Sequence, residues 1–178
     1  QEDRPMRPNK IREIWKSGGV VANGWLATPA AFTAEVMAHC GWDSITVDMQ
    51  HGLMEYQIAV SQFQAFSTTD VVPFVRVPWL DAGMIMKVLD AGAYGVSCPM
   101  INNGDDARQF VHYASYPPLG TRSFGPIRAS IYGGSDYTDK ANDEIIRMAM
   151  PHSHHGCSPP YIGPGMGASL IHEYIHHS

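Results

Sequence analysis

Short β-forming apolar runs alternate with runs of helical periodicity through most of the sequence. The strand-like runs are residues 20–28, 44–49, 71–77 and 95–100, and the helical runs are 29–40, 55–66, 81–91 and 104–114. Because short connections join them, the pattern predicts right-handed βαβ units around a parallel sheet. The strands are almost continuously apolar, which is typical of strands that are covered on both faces.

Two architectures fit this alternation: an open, doubly wound sheet and a (β/α)8 barrel. The first βα turn has no G-x-G-x-x-G, which removes the usual reason to expect a dinucleotide site. Further along, the sequence predicts a long functional loop over 115–138, a helix over 139–147, a fifth strand over 145–150 and a sixth over 161–163. In either architecture, ligands bind at the carboxyl edge of the strands.

Composition narrows the class of protein. With 44% apolar and 16% charged residues, 178 residues suffice for one folded core. A net charge of −5 without a Lys/Arg-rich stretch argues against nucleic-acid binding, and no apolar stretch of about 18 residues predicts a membrane span. The first ten residues lack the apolar core of a signal peptide, and the opening Gln1 suggests a trimmed start. Cys40 and Cys98 lie in apolar runs, which predicts buried, reduced thiols in a cytoplasmic protein.

The composition changes near residue 150. Residues 1–150 carry every Lys and Arg and 16 of the 17 acidic residues, whereas residues 151–178 carry one formal charge and six of the nine His. We therefore expect a folded barrel-type region over 1–150 and a divergent His/Pro/Gly-rich tail over 151–178.

The first candidate site follows the second strand. Asp48 and Gln50 share one strand face, and His51 lies at the turn. A carboxylate beside an imidazole fixes its tautomer and raises its basicity, as a general base requires. The alternative is that Asp48 caps the loop and His51 is an ordinary surface residue.

Arg76 is the second candidate, because it lies in the otherwise apolar run VVPFVRVPW. A buried charge is costly unless it is paired, so Arg76 predicts an anionic partner. Two partners remain open. One is a salt bridge to Asp48 or Asp81, and the other is the carboxylate or enolate oxygen of a substrate.

Four segments resemble the HpcH/HpaI aldolase family: ITVDMQHG, VPFVRVPW, LDAGAYGVSCPMIN and YPPLGTRSFGPIRAS. Their order and spacing match across residues 11–150. The resemblance implies a metal-dependent (class II) aldolase that cleaves a 4-hydroxy-2-oxo acid to pyruvate and an aldehyde. It also implies a (β/α)8 barrel in a homo-oligomer, a hexamer in which the last helix is exchanged between subunits.

The resemblance also implies residue roles. His51, oriented by Asp48, would move protons through a water, and Arg76 would hold the keto oxygen of pyruvate and stabilise the enolate. Trp25 would line the substrate pocket. Gln50 stands where the commoner version has Glu, and its amide can still hydrogen-bond. Residues 116–128 would shape the site or a subunit contact.

An aldolase without a Schiff-base lysine needs another electrophile, and the resemblance implies Mg²⁺ or Mn²⁺, with Co²⁺ or Zn²⁺ as alternatives. The four lysines (Lys10, Lys16, Lys87 and Lys140) lie in helical or polar contexts rather than at strand ends. The family's Glu and Asp ligands are not present: Pro151-His152-Ser153 replaces Ile-Glu-Thr, and Met166 stands at the Asp position.

Three interpretations of this difference stay open. The chain is an incomplete and inactive aldolase-like form that only assembles with partner subunits, or substitute ligands such as His152, His154 or His155 hold the metal, or the natural protein has another tail. A further alternative is a tail that binds metal by itself, because residues 172–176 match H-E-x-x-H. His39 and His112 are expected to be helix residues without a ligand role.

Overall fold

The computed structural model describes residues 4–151, which form helices and parallel strands in alternation. In chain order the elements are α1 Lys10–Lys16, β1 Asn23–Leu26, α2 Ala31–Ala38, β2 Ser44–Asp48, α3 Tyr56–Phe66, β3 Val72–Arg76, α4 Ala82–Asp90, β4 Gly95–Pro99, α5 Gly104–Tyr113, α6 Ile127–Gly133, α7 Tyr137–Glu144 and β5 Ile146–Met150. Of these helices, none is long and apolar enough to cross a membrane. The predicted strand over 161–163 and the H-E-x-x-H motif lie outside the described residues.

The five strands pair in their sequence order, β1-β2-β3-β4-β5, and every pair is parallel. A doubly wound sheet reverses its strand order at a switch point. No reversal occurs between β1 and β5, because each connection advances the sheet by one strand in the same direction. This is the winding of a (β/α)8 barrel, and it decides between the two architectures that the sequence left open.

Strand β2 separates polar from apolar side chains. In β2, where all five positions are buried, Ser44, Thr46 and Asp48 share one face, whereas Ile45 and Val47 share the other. The apolar face packs against the helices. Side chains without solvent exposure in this core include Ile45, Val47, Phe63, Phe66, Val75, Ile85, Val88, Leu89, Val96 and Phe110. The polar face of β2 lies on the inner side of the curved sheet, and it ends at Asp48 in the candidate site.

The predicted loop over 115–138 is wrong in its second half. Residues 127–133 form α6, and α7 begins at Tyr137 rather than at residue 139. Pro126 precedes the first helix and Gly134, with φ +125°, ends it. Proline before a helix and glycine after it are ordinary boundary signals. The pattern was missed because Ile127 and Ile131 of α6 are exposed, so the helix has no simple buried apolar stripe.

The prediction of buried thiols holds for one of the two described cysteines. Cys98 is buried in β4, and burial raises the pKa of its thiol to about 12. Cys40 is exposed, because it lies in the turn after α2, where its thiol donates to the Val36 carbonyl. Neither forms a disulfide, and Cys157 lies outside the described residues.

Candidate active site

The carboxyl ends of β2 and β3 bring two opposite charges together. Asp48 and Arg76 are the last residues of their strands and are register partners. Arg76 Nε donates to Asp48 Oδ1 at 2.8 Å and Arg76 Nη2 donates to Oδ2 at 2.5 Å. Side-chain exposure is 4% for Asp48 and 13% for Arg76. The geometry is a two-pronged, largely buried ion pair, so the salt-bridge interpretation of Arg76 is correct with respect to Asp48.

The other proposed partner, Asp81, has a different role. Its carboxylate accepts a hydrogen bond from the Met84 backbone N–H at 2.7 Å and caps the amino end of α4. Arg76 uses Nε and Nη2 for Asp48, which leaves its Nη1 group as the edge available to a second anion. The substrate role of Arg76 remains a prediction.

Asp48 gathers three further donors besides Arg76. Oδ2 accepts from Trp25 Nε1 at 3.2 Å, and Oδ1 accepts from the backbone N–H groups of Gln50 and His51 at 3.0 and 3.2 Å. Burial by itself raises the pKa of this carboxyl, but the hydrogen bonds from Arg76, His51 and Trp25 outweigh it and lower the pKa to about 2. Asp48 is therefore ionised throughout the neutral range.

Trp25 covers the ion pair. Its ring centroid lies 4.8 Å from Arg76 Cζ, within the range of a cation–π contact. The Trp25 residue is 37% exposed, so it contacts the charged pair and solvent at the same time.

His51 and Gln50 follow Asp48 on the loop. The contact between Asp48 and His51 is made through the His51 backbone N–H, and the His51 residue is exposed. Asp48 thus fixes the loop that carries His51, which is the loop-capping alternative. The role of His51 in proton transfer remains a prediction. Gln50 is half-buried and held in the same way through its backbone.

The lysines lie where the sequence indicated. Lys10 and Lys16 are in α1, Lys87 is in α4 and Lys140 is in α7. These are all the lysines of the chain, and none lies at a strand end, so no Schiff-base nucleophile faces the carboxyl edge.

A divalent metal is implied by the resemblance, but the described residues do not fit one. Within residues 4–151 no group of three or more His, Cys, Asp or Glu side chains is arranged to hold a metal ion. Asp48 is the carboxylate of the candidate site, and it is already paired with Arg76 rather than free to bind a metal ion. Pro151 is exposed at the end of β5, and the proposed ligand His152 lies outside the described residues.

The segment 116–128 is fixed at the opposite edge of the sheet. Arg122 is almost fully buried and donates to Asp90 at 2.8 Å and to the Tyr137 hydroxyl at 3.2 Å. Asp90 ends α4, and a helix that returns between parallel strands ends at their amino edge. Arg122 and Asp90 therefore lie at the amino edge of the sheet, away from the Asp48–Arg76 pair of the same chain at the carboxyl edge.

Two features near the site were not predicted from the sequence. Asn23 Oδ1, beneath Trp25, accepts hydrogen bonds from Ser44 Oγ at 2.7 Å and Thr46 Oγ1 at 3.1 Å. Met100, just after β4, has φ +59°. The apolar–polar alternation of β2 could have indicated the first, whereas no sequence signal marks the second.

Comparisons with known proteins agree with this geometry. The sequence profile of the HpcH/HpaI aldolase/citrate lyase family matches residues 23–157. A hydroxypyruvate/pyruvate aldolase of Rhizorhabdus wittichii is 37% identical over 142 residues, covering 80% of this chain and 57% of that protein. A 4-hydroxy-2-oxo-heptane-1,7-dioate aldolase of Escherichia coli is 34% identical over 140 residues, covering 77% and 53%. The crystal structure of an HpcH/HpaI aldolase/citrate lyase family protein from Burkholderia cenocepacia superposes with a TM-score of 0.73 at 29% identity, covering 79% and 58%.

A singly wound parallel sheet with charged residues at its carboxyl edge defines the class of (β/α)-barrel proteins. Within this class, the chain belongs to the HpcH/HpaI aldolase/citrate lyase family. It spans about half the length of the curated relatives it matches.

Proposed function

We propose that this chain carries the pyruvate-activating part of an aldolase that cleaves a 4-hydroxy-2-oxo acid to pyruvate and an aldehyde. The names of the relatives support this reaction class, because both describe aldolases and one names a 4-hydroxy-2-oxo acid. The single observation that carries the proposal is the two-pronged Arg76–Asp48 pair at the carboxyl edge of the sheet.

Arg76 stabilises the enolate in this proposal. When the bond between C3 and C4 of the substrate breaks, its electron pair moves into the pyruvate part, and negative charge develops on the keto oxygen. A guanidinium that is held before the reaction stabilises this charge without reorganisation. Asp48 holds Nε and Nη2 of Arg76, which fixes the direction of the Nη1 edge, and the proposal places the keto oxygen against that edge.

His51 moves the protons. It accepts the proton of the C4 hydroxyl through a water as the carbon–carbon bond breaks, and a proton then returns to C3 of the enolate to give pyruvate. The proton count balances, because one proton leaves the C4 hydroxyl and one is added to C3. Asp48 supports His51 by fixing its loop through the backbone N–H.

A bound Mg²⁺ or Mn²⁺ belongs to the proposal as a Lewis acid. Residues 4–151 provide no donor set for it, so the steps above describe only the part taken by this chain's own side chains. We propose His152 as a substitute ligand.

Deuterium exchange into the methyl group of pyruvate, followed by proton NMR, tests enolate formation without knowledge of the aldehyde. We expect exchange with Mn²⁺ or Mg²⁺ above a protein-free metal control, and its loss with a chelator. Arg76→Ala should slow exchange at least 100-fold, because the charge that faces the enolate oxygen is removed. His51→Ala should slow it at least tenfold. Exchange that is unchanged in both variants would contradict these roles.

One observation favours a second candidate, a catalytically inactive aldolase-like chain that only assembles with partner subunits. The residues the structure describes lack a cluster of metal-binding side chains. The same experiment separates the two candidates, since the inactive chain gives no exchange above the protein-free control at any metal concentration.

We further propose that the protein is a homo-oligomer of the cytoplasm. Of the large apolar side chains that are exposed in the described residues, four lie within residues 119–131: Leu119, Phe124, Ile127 and Ile131. Clustered exposed apolar residues are typical of protein–protein contacts. Cys40 and Cys98 are free thiols, as is usual in a reducing compartment.

A further inference from the structure

Trp25 reaches the charged pair because of the strand register. Asn23 and Trp25 share one face of β1, and Asn23 bonds to the hydroxyls of Ser44 and Thr46 on the inner face of β2. Trp25 is the register partner of Thr46, two residues before Asp48. Its side chain therefore lies on the inner face of the sheet, beside Asp48.

Two different groups of the indole act on the pair. The Nε1–H donates to Asp48 Oδ2, the oxygen that also receives Arg76 Nη2. The ring lies over the Arg76 guanidinium, with 4.8 Å between Cζ and the ring centroid. One side chain thus restrains both members of the pair and excludes water from one side of it.

We propose that Trp25 is a positioning residue, which sets the direction of the free Nη1 edge of Arg76 through its N–H bond to Asp48 and its ring contact with Arg76. The expected effect of Trp25 on the reaction rate rests on the proposed function. The expected effect of Trp25 on the orientation of Arg76 does not. If Trp25 only lined the pocket, an apolar surface would suffice. If Trp25 positions Arg76, its indole N–H is required as well.

Two variants separate the N–H from the ring. Trp25→Phe keeps an aromatic face and removes the donor, and Trp25→Leu removes both. Trp42→Phe is the matched control. Trp42 is also 37% exposed. It packs against Gly24, and because neighbouring strand residues face opposite sides, Trp42 and Trp25 lie on opposite faces of β1. Circular dichroism establishes that each variant is folded.

The first measurement is the ¹⁵N–¹H signal of Arg76 Nε in the full chain, assigned by its loss in Arg76→Lys. We expect a positive heteronuclear NOE in the parent and in Trp42→Phe, a reduced NOE in Trp25→Phe and a smaller one in Trp25→Leu. An unchanged NOE in both Trp25 variants, or an equal reduction in Trp42→Phe, overturns the proposal.

The second measurement is pyruvate methyl exchange with Mn²⁺. In an active parent, we expect Trp25→Phe to lower the maximal rate roughly tenfold with less than a twofold change in KM, because a charge-assisted hydrogen bond that orients the enolate-stabilising group is lost. A full rate in Trp25→Phe overturns the positioning role. Absence of exchange in the parent contradicts the proposed function instead, and the Arg76 NOE still decides whether Trp25 holds the pair.

Discussion

At the scale of single residues, one carboxylate organises the candidate site. Asp48 binds Arg76 from β3, Trp25 from β1 and the backbone of the loop that carries Gln50 and His51. The same bonds stabilise the fold, because they lower the pKa of Asp48 from 3.8 to about 2. Function and stability therefore depend on the same ionised group.

This coupling predicts a specific pH dependence. A carboxyl whose pKa is lowered by folding stabilises the native state above its unfolded pKa, and this stabilisation is lost as pH falls through the folded pKa. For Asp48 the window runs from about pH 4 down to about pH 2. The shift corresponds to about 2 kcal/mol of free energy of unfolding.

Urea unfolding of the parent and of Asp48→Asn measures this contribution. The difference in free energy of unfolding should be largest at pH 6 and should shrink by about 2 kcal/mol at pH 2, since protonation removes the same charge from the parent. Asp105→Asn is the control, because the Asp105 side chain is 89% exposed. A difference that is equal at both pH values would contradict the prediction.

At the scale of elements, one arginine joins three helices. Arg128 of α6 donates to the Phe63 carbonyl at 2.9 Å and the Ser67 hydroxyl at 2.8 Å, both at the end of α3. It also donates to the Ala91 carbonyl at 2.5 Å, at the end of α4. The carbonyls at a helix end carry partial negative charge, which favours a guanidinium there. The Phe63 carbonyl also accepts from the backbone N–H and the hydroxyl of Ser67, at 3.2 and 2.8 Å, so Arg128 adds a third donor to it.

Replacement of Arg128 should therefore destabilise the fold. Arg128→Met keeps most of the stem and removes this donor from the Ala91 carbonyl, whereas the Phe63 carbonyl keeps its two bonds from Ser67. We expect a loss of about 1–3 kcal/mol in the free energy of unfolding. Arg108→Met is the matched control. It loses only an exposed pair with Asp105, which is worth less than about 0.5 kcal/mol. Equal losses in urea unfolding would show that the helix-end contacts contribute little.

At the scale of the whole molecule, the local sequence pattern predicted the βα units but not the order in which their strands pair. The alternation located β1 to β4 within a few residues, because buried strands and amphipathic helices have different periods. It left the strand order open, because periodicity carries no information on which strands pair. It missed α6, whose exposed Ile127 and Ile131 obscure an inward face.

The candidate site was predictable to a similar extent. Arg76 in an apolar run required an anion, and Asp48 was one of two partners consistent with the sequence. The register of β2 against β3 decided between them. The bond from Trp25 to Asp48 was not predictable, since it depends on the register of β1 against β2, which are separate in sequence. Local chemistry thus identified the participants, and tertiary structure determined their contacts.

The exposed residues that obscured α6 give a test of the proposed homo-oligomer. Ile127 and Ile131 are 83% and 62% exposed and lie one helical turn apart. Paired with a second copy, they would bury apolar surface that one chain leaves in water. A double Ile127→Glu/Ile131→Glu variant should therefore lower the oligomer number in sedimentation velocity without changing the circular dichroism spectrum. Gln57→Glu/Ser61→Glu adds the same charge at the same spacing on exposed positions of α3. An equal shift in both variants would assign the effect to net charge rather than to the α6 surface.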